Sequence, residues 1–124
     1  MLIEEYFTDI EGNIASCPFV HSHSIVKDKR SLYIGLIEGV IGFMDNSTLR
    51  FMEFVDVSKR IEKFKYSYHY EDAHNETVFR YDMAPHFEGM KTYPHHKHEK
   101  DRVIESTEPN LIQILNEIEK IFVG

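Results

Sequence analysis

Apolar side chains in the first fifteen positions recur at Ile3, Tyr6, Phe7, Ile10 and Ile14, the spacing of a helix with one buried stripe. The predicted helix runs over Leu2–Ala15. Gly12 and Asn13 weaken its last turn and Pro18 stops it. The period then changes to two. Phe19–Lys27 alternates, with His21, His23 and Ile25 on one face and Val20, Ser22 and Val26 on the other. After a polar turn at Asp28-Lys29-Arg30-Ser31, Leu32–Met44 reads as a long, bent strand. Its Gly35, Gly39 and Gly42 mark bulges or close backbone approach. Asp45-Asn46-Ser47 predicts a turn and Thr48–Val57 a returning strand. Lys59–Glu71 alternates most clearly. Phe64, Tyr66, Tyr68 and Tyr70 share one face, and Lys63, Lys65, Ser67, His69 and Glu71 the other. Asp72-Ala73-His74-Asn75 turns the chain, and Thr77–Asp82 pairs back.

From Met83 to Lys100 the periodicity disappears, and Pro85, Gly89 and Pro94 exclude long regular structure. A short strand follows at Arg102–Glu105. Glu108-Pro109 opens a last helix, where Leu111, Ile114, Leu115, Ile118, Ile121 and Phe122 form a second apolar stripe. The expected fold class is α+β: a mostly antiparallel meander of about five strands, with an N-terminal and a C-terminal helix packed on one face. The opposite sheet face is left for a ligand, a partner or solvent.

The 124 residues fit a single domain, 1–124. At 42% apolar and 13% aromatic content, a core can form. No stretch approaches the roughly 20 apolar residues of a membrane span. The acidic start, Met1 to Glu5, lacks the basic region of a signal peptide. The one cysteine, Cys17, has no partner for an intramolecular disulfide and reads as a small, buried residue. Together these features predict a cytoplasmic protein. The net charge of −7 argues against nucleic-acid binding through the whole surface but leaves room for a local basic site, and it suits a basic partner protein. Glycine-rich phosphate loops, G-x-S-x-G, H-E-x-x-H and C-x-x-C motifs are absent from the sequence.

Chemistry concentrates in the polar stretch Arg80–His98. Pro94-His95-His96-Lys97-His98 places three imidazoles in four residues. In an extended chain His96 and His98 point one way, and His95 and Lys97 the other. Imidazole is both the commonest metal ligand and the side chain best suited to proton transfer near neutral pH. In Arg80-Tyr81-Asp82-Met83-Ala84-Pro85-His86, Arg80 and Asp82 share a strand face. They form either a plain surface pair or a working pair, in which Arg80 binds a phosphate or carboxylate and Asp82 orients a histidine. In Tyr66-Ser67-Tyr68-His69-Tyr70 the tyrosines read as packing, while His69 lies on the polar face within reach of Arg80 for some registers. Glu53 interrupts the apolar set Leu49, Phe51 and Val55, so it either swings to a rim or is held by a partner; it is also a candidate base or ligand. His21, His23 and His74 read as surface residues.

These three motifs, in this order, resemble the TumE-type family of small prokaryotic proteins, the toxin components of toxin–antitoxin pairs. The likeness covers most of the chain, including Phe51-x-Glu53 and the final helix, expected over Ser106–Val123. Met83, where the family tends to carry a polar residue, and the short Glu88–Thr92 spacer depart from the pattern. The resemblance implies a toxin neutralised by a cognate antitoxin protein.

Three readings of the chemistry follow. The first is a metal-independent ribonuclease needing no cofactor. RNA brings its own 2′-hydroxyl nucleophile, His69, His86, His96 or His98 serve as base and acid, Arg80 stabilises the phosphorane, and Tyr68 or Tyr81 stacks on a base. This reading is helped if Lys63, Lys65, Arg80 and Lys97 converge. The second is a zinc-like divalent metal site built from His86, His96 and His98, with His69, His95, Glu53 or Asp82 as further ligands. The third is a non-enzymatic protein-binding module, for which a homodimer is an expected form.

Overall fold

The computed structural model describes residues 1–83, 95–99, 102–105 and 108–124; for His96 and Arg102–Glu105 it describes the backbone alone. The elements run α1 (Ile3–Ala15), β1 (Val20–Lys29), β2 (Ile34–Phe43), β3 (Thr48–Asp56), β4 (Glu62–Glu71), β5 (Thr77–Met83), β6 (His95–Glu99), β7 (Arg102–Glu105) and α2 (Leu111–Val123). The seven strands form one antiparallel sheet in sequence order, so every neighbour in space is a neighbour in sequence. The α+β meander is as expected, but it has seven strands rather than about five. One addition, β7, was expected. The other, β6, falls in the stretch read as irregular. None of the helices among the described residues is long and apolar enough to cross a membrane.

Both helices pack on one sheet face. The predicted stripe of α1 is buried in full: Ile3, Tyr6, Phe7, Ile10 and Ile14. In α2, Leu111, Ile114, Leu115 and Ile118 are buried and Phe122 stacks on Phe19 at 4.7 Å, whereas Ile121 lies exposed. The helix begins later than expected. Pro109 precedes the N-cap Asn110, whose Oδ1 accepts from Gln113 N–H at 2.9 Å while Gln113 Oε1 accepts from Asn110 N–H at 3.0 Å. This reciprocal cap satisfies two first-turn donors and so sets the start of the helix. Against the helices lie Ile37, Ile41, Leu49, Phe51, Val55, Tyr66, Tyr68, Tyr70 and Phe79, each at most 4% exposed. Gly39 sits among them because a Cβ there would stand 2.6 Å from Ile25 and closer still to the Phe51 ring. Cys17 is only half-buried.

Two bulges overturn expected side-chain directions. The register shifts between Phe54 and Val55, where Phe54 pairs with Lys65 and Val55 with Lys63. The extra residue, Phe64, puts Lys63 on the same face as Tyr66, Tyr68 and Tyr70, the reverse of strict alternation. Lys63 is therefore buried, while Phe64 is 45% exposed and meets Phe54 edge-on at 5.3 Å. A second shift, between Val20 and Ser22, turns Val20 towards the core instead of leaving it beside Ser22 and Val26.

Candidate functional site

Register on the helix-free face brings distant motifs together. Arg50 of β3 pairs with His69 of β4, His69 with Arg80 of β5, and Arg80 with His98 of β6. Four cationic or imidazole side chains thus form one transverse row over four adjacent strands. The next row holds Met52, Ser67, Asp82 and the backbone position of His96, which pairs with Asp82 on one side and Glu105 on the other. Strands about 4.8 Å apart place the Cα atoms of His69 and His98 about 10 Å from each other, with Arg80 between them.

Asp82 organises this row. Asp82 is buried, its side chain 9% exposed, so the carboxylate needs donors, and it has them. Arg80 Nη2 donates to Oδ2 at 2.7 Å, and His98 Nε2 lies 3.2 Å from Oδ1. One carboxylate therefore contacts both the guanidinium and an imidazole. The Arg80 side chain remains 49% exposed and accessible to an anion. His69 Nε2 shares a 2.8 Å hydrogen bond with Thr77 Oγ1. Burial depresses the His69 pKa; the charge of Glu71 opposes this, while those of Arg80 and Arg50 add to it, so the neutral imidazole dominates at neutral pH. Beside the row, a groove of about 380 Å³ is lined by Ser24, Val26, Glu38, Val40, Arg50 and Met52, among others.

Glu53, Tyr68, Tyr81, His95 and Lys97 lie on the helix-covered face, apart from this row. Glu53 is 0% exposed, and its carboxylate accepts from the hydroxyls of Tyr6 and Tyr68. Lys63 Nζ stands 3.8 Å away and donates to Tyr68 Oη at 2.9 Å and to the Pro109 carbonyl at 2.5 Å. Glu53 is thus held by partners and does not swing to a rim. Burial, then the Glu53 charge, pushes the Tyr6 and Tyr68 hydroxyls upward, and burial lowers Lys63. Tyr68 is fully buried, so it offers no ring face to a nucleic-acid base, contrary to expectation. Tyr81 also faces the helices, donating to Glu117 Oε1 at 2.6 Å. Lys97 donates to Glu117 Oε2 at 2.8 Å and sits 5.0 Å from the Tyr81 ring centroid. Burial works against the Lys97 charge, but Glu117 and Tyr81 outweigh it and raise the pKa. His95 stacks on Tyr66 and lies 2.9 Å from its hydroxyl.

His95 and Lys97 thus point away from His98, as alternation predicts. Lys63, Lys65, Arg80 and Lys97 do not converge: Lys65 and Arg80 face the open side, Lys63 and Lys97 the helices. Arg50 went unnoticed in the sequence, although its position two residues before Met52 on an alternating strand fixes its face. His86 lies outside the described residues. Among the described residues, no group of three or more His, Cys, Asp or Glu side chains is gathered to hold a metal ion. His21, His23 and His74 are exposed.

The sequence model of the family described as Toxin TumE matches residues 10–122, nearly the whole chain. No curated protein and no solved structure matches it.

Proposed function

Because the chain belongs to the TumE toxin family, we propose that it is the toxin of a toxin–antitoxin pair, neutralised by a cognate antitoxin protein, and that it cleaves RNA in the cytoplasm on the open face of its sheet. The observation that carries this reading is the Arg50–His69–Arg80–His98 row, with Asp82 gripping Arg80 and His98. Cleavage through the 2′-hydroxyl needs a base, an acid and a cation for the phosphorane, and no resident metal. His69, held neutral, takes the 2′-hydroxyl proton. Arg80 binds the non-bridging oxygens with its planar fork. His98, oriented by Asp82, delivers a proton to the leaving 5′-oxygen. His96 and His86 join this set as sequence-level candidates. The net charge of −7 and the dispersal of Lys63, Lys65 and Lys97 count against the substrate, so the reading rests on the two guanidiniums of the row, Arg50 and Arg80.

The test is cleavage of labelled RNA by purified protein and by its His69→Ala, Arg80→Ala, His96→Ala and His98→Asn variants, with and without a chelator. Loss of a general acid or base should lower the rate about 10²–10⁴-fold with melting temperature unchanged. Chelator should have no effect. Equal cleavage by the wild type and the His69, Arg80 and His98 variants would remove the row from the mechanism.

A further inference from the structure

The catalytic reading leaves the groove beside Arg50 without a role. Its floor is apolar and formed by β1, β2 and β3: Val26 is 62% exposed, Val40 39%, and Met52 and the Gly39 backbone complete it. Its rim is polar: Ser24, Ser67, His69, Arg50 and Glu38. Its volume falls in the range of about 300–1,000 Å³ that small ligands occupy. It continues directly from the cationic row, since Arg50 and His69 belong to both.

On the ribonuclease reading above, we infer that this groove is the base-binding subsite for single-stranded RNA and that Glu38 makes it select guanine. A flat apolar floor next to a guanidinium suits an unstacked base, which arginine planes and apolar side chains hold by stacking. Arg50 is 57% exposed and meets the 16%-exposed Glu71 side chain through a long, 3.4 Å contact, so turning the guanidinium to a phosphate costs little. Glu38 faces the groove between Val26 and Met52. A carboxylate repels phosphate, so it does not serve the backbone. It is acceptor-only, and it fits a base edge with two adjacent donors. Guanine presents N1–H beside its N2 amino group. Adenine and cytosine each offer one amino group beside an acceptor nitrogen, and uracil flanks its single N3–H with two carbonyls. A bidentate pair of this kind distinguishes bases by about 10- to 100-fold.

The probes are four 2′-O-methyl oligonucleotides: a uridine tract, and the same tract with one central guanosine, adenosine or cytidine. They lack the nucleophile, so binding is measured apart from cleavage. By fluorescence anisotropy, the wild type should bind the guanosine probe about 10- to 100-fold tighter than the others. Glu38→Gln, an exposed change that leaves folding intact, should lose most of that preference, and Arg50→Ala should weaken all four probes alike. Equal binding of the four by the wild type, or guanine preference retained in Glu38→Gln, overturns the inference. Cleavage of unmodified RNA without base preference would do so while leaving the ribonuclease reading in place. Guanine-selective binding without cleavage would support the subsite and remove the ribonuclease.

Discussion

Replacing Lys63 by methionine removes the ammonium from a place water does not reach. The Lys63 and Glu53 side chains are 3% and 0% exposed, and their charged atoms lie 3.8 Å apart. At that separation a unit pair is worth about 4 kcal/mol at an effective dielectric constant near 20. Methionine nearly fills the lysine volume, so little cavity follows. The loss is electrostatic: Glu53 keeps two tyrosine donors but no countercharge, and Tyr68 and the Pro109 carbonyl each lose a donor. Removing one partner of a buried pair costs about 3–5 kcal/mol, a large share of the 5–15 kcal/mol that holds a domain together. Adding Glu53→Gln to Lys63→Met neutralises the stranded carboxylate while keeping an acceptor for a tyrosine hydroxyl, so the double variant should be more stable than Lys63→Met alone. Urea unfolding monitored by circular dichroism reads both midpoints, with an unchanged slope confirming comparable exposed surface. A Lys63→Met loss below about 1 kcal/mol, the range of a surface pair, would refute the burial. So would a double variant weaker than the single.

The phenols predict the alkaline limit. Burial raises the pKa of Tyr6, Tyr66 and Tyr68 above the ordinary 10, so their stabilising contribution is whole below pH 10 and lost as pH rises above it. Lys63, lowered by burial, acts in the opposite sense below 10.5, so thermal melting should fall clearly above about pH 10.5, and a flat profile there would contradict the burial of these hydroxyls. For cleavage, the acidic limb of the rate profile should lie below pH 6.5, because burial and the neighbouring guanidiniums depress His69 against the pull of Glu71; a limb above 6.5 would assign the base elsewhere. Gly39→Ala forces a methyl to within 2.6 Å of Ile25 and against the Phe51 ring, an overpacking expected to cost about 1–3 kcal/mol in chemical denaturation. An unchanged midpoint would show that β2 and β3 shift apart freely there.

What the chain revealed by itself was set by how strongly each segment contrasts its two faces. Both helices were readable because their apolar stripes face polar opposite sides. Strand β6 was not, because His95-His96-Lys97-His98-Glu99 is polar on both faces and carries no alternation; it pairs through its backbone and through Asp82, Tyr66 and Glu117. Lys63 was assigned to the wrong face because a single extra residue, Phe64, resets the parity of everything before it. Arg50 illustrates a different gap. Alternation gives its face, but only inter-strand register places it beside His69, and register is not written within either strand.

That register has a physical cause on the opposite side of the sheet. Sliding β4 by one residue against β3 would drive Lys65, Ser67 and His69 under the helices and turn Tyr66, Tyr68 and Tyr70 to water. Each tyrosine is at most 1% exposed, and each large apolar side chain buried is worth about 1.5–3 kcal/mol. The slip would also separate Tyr68 from Glu53 and leave a buried carboxylate short of donors. Tyr70 likewise secures the β2–β3 turn by donating to Ser47 at 2.8 Å. Tyr68, expected to stack on a base, instead joins Tyr66 and Tyr70 in fixing the register that sets Arg50, His69 and Arg80 side by side. Their contribution to the site is transmitted through the pleat, from the face where they are buried to the face where the row stands exposed.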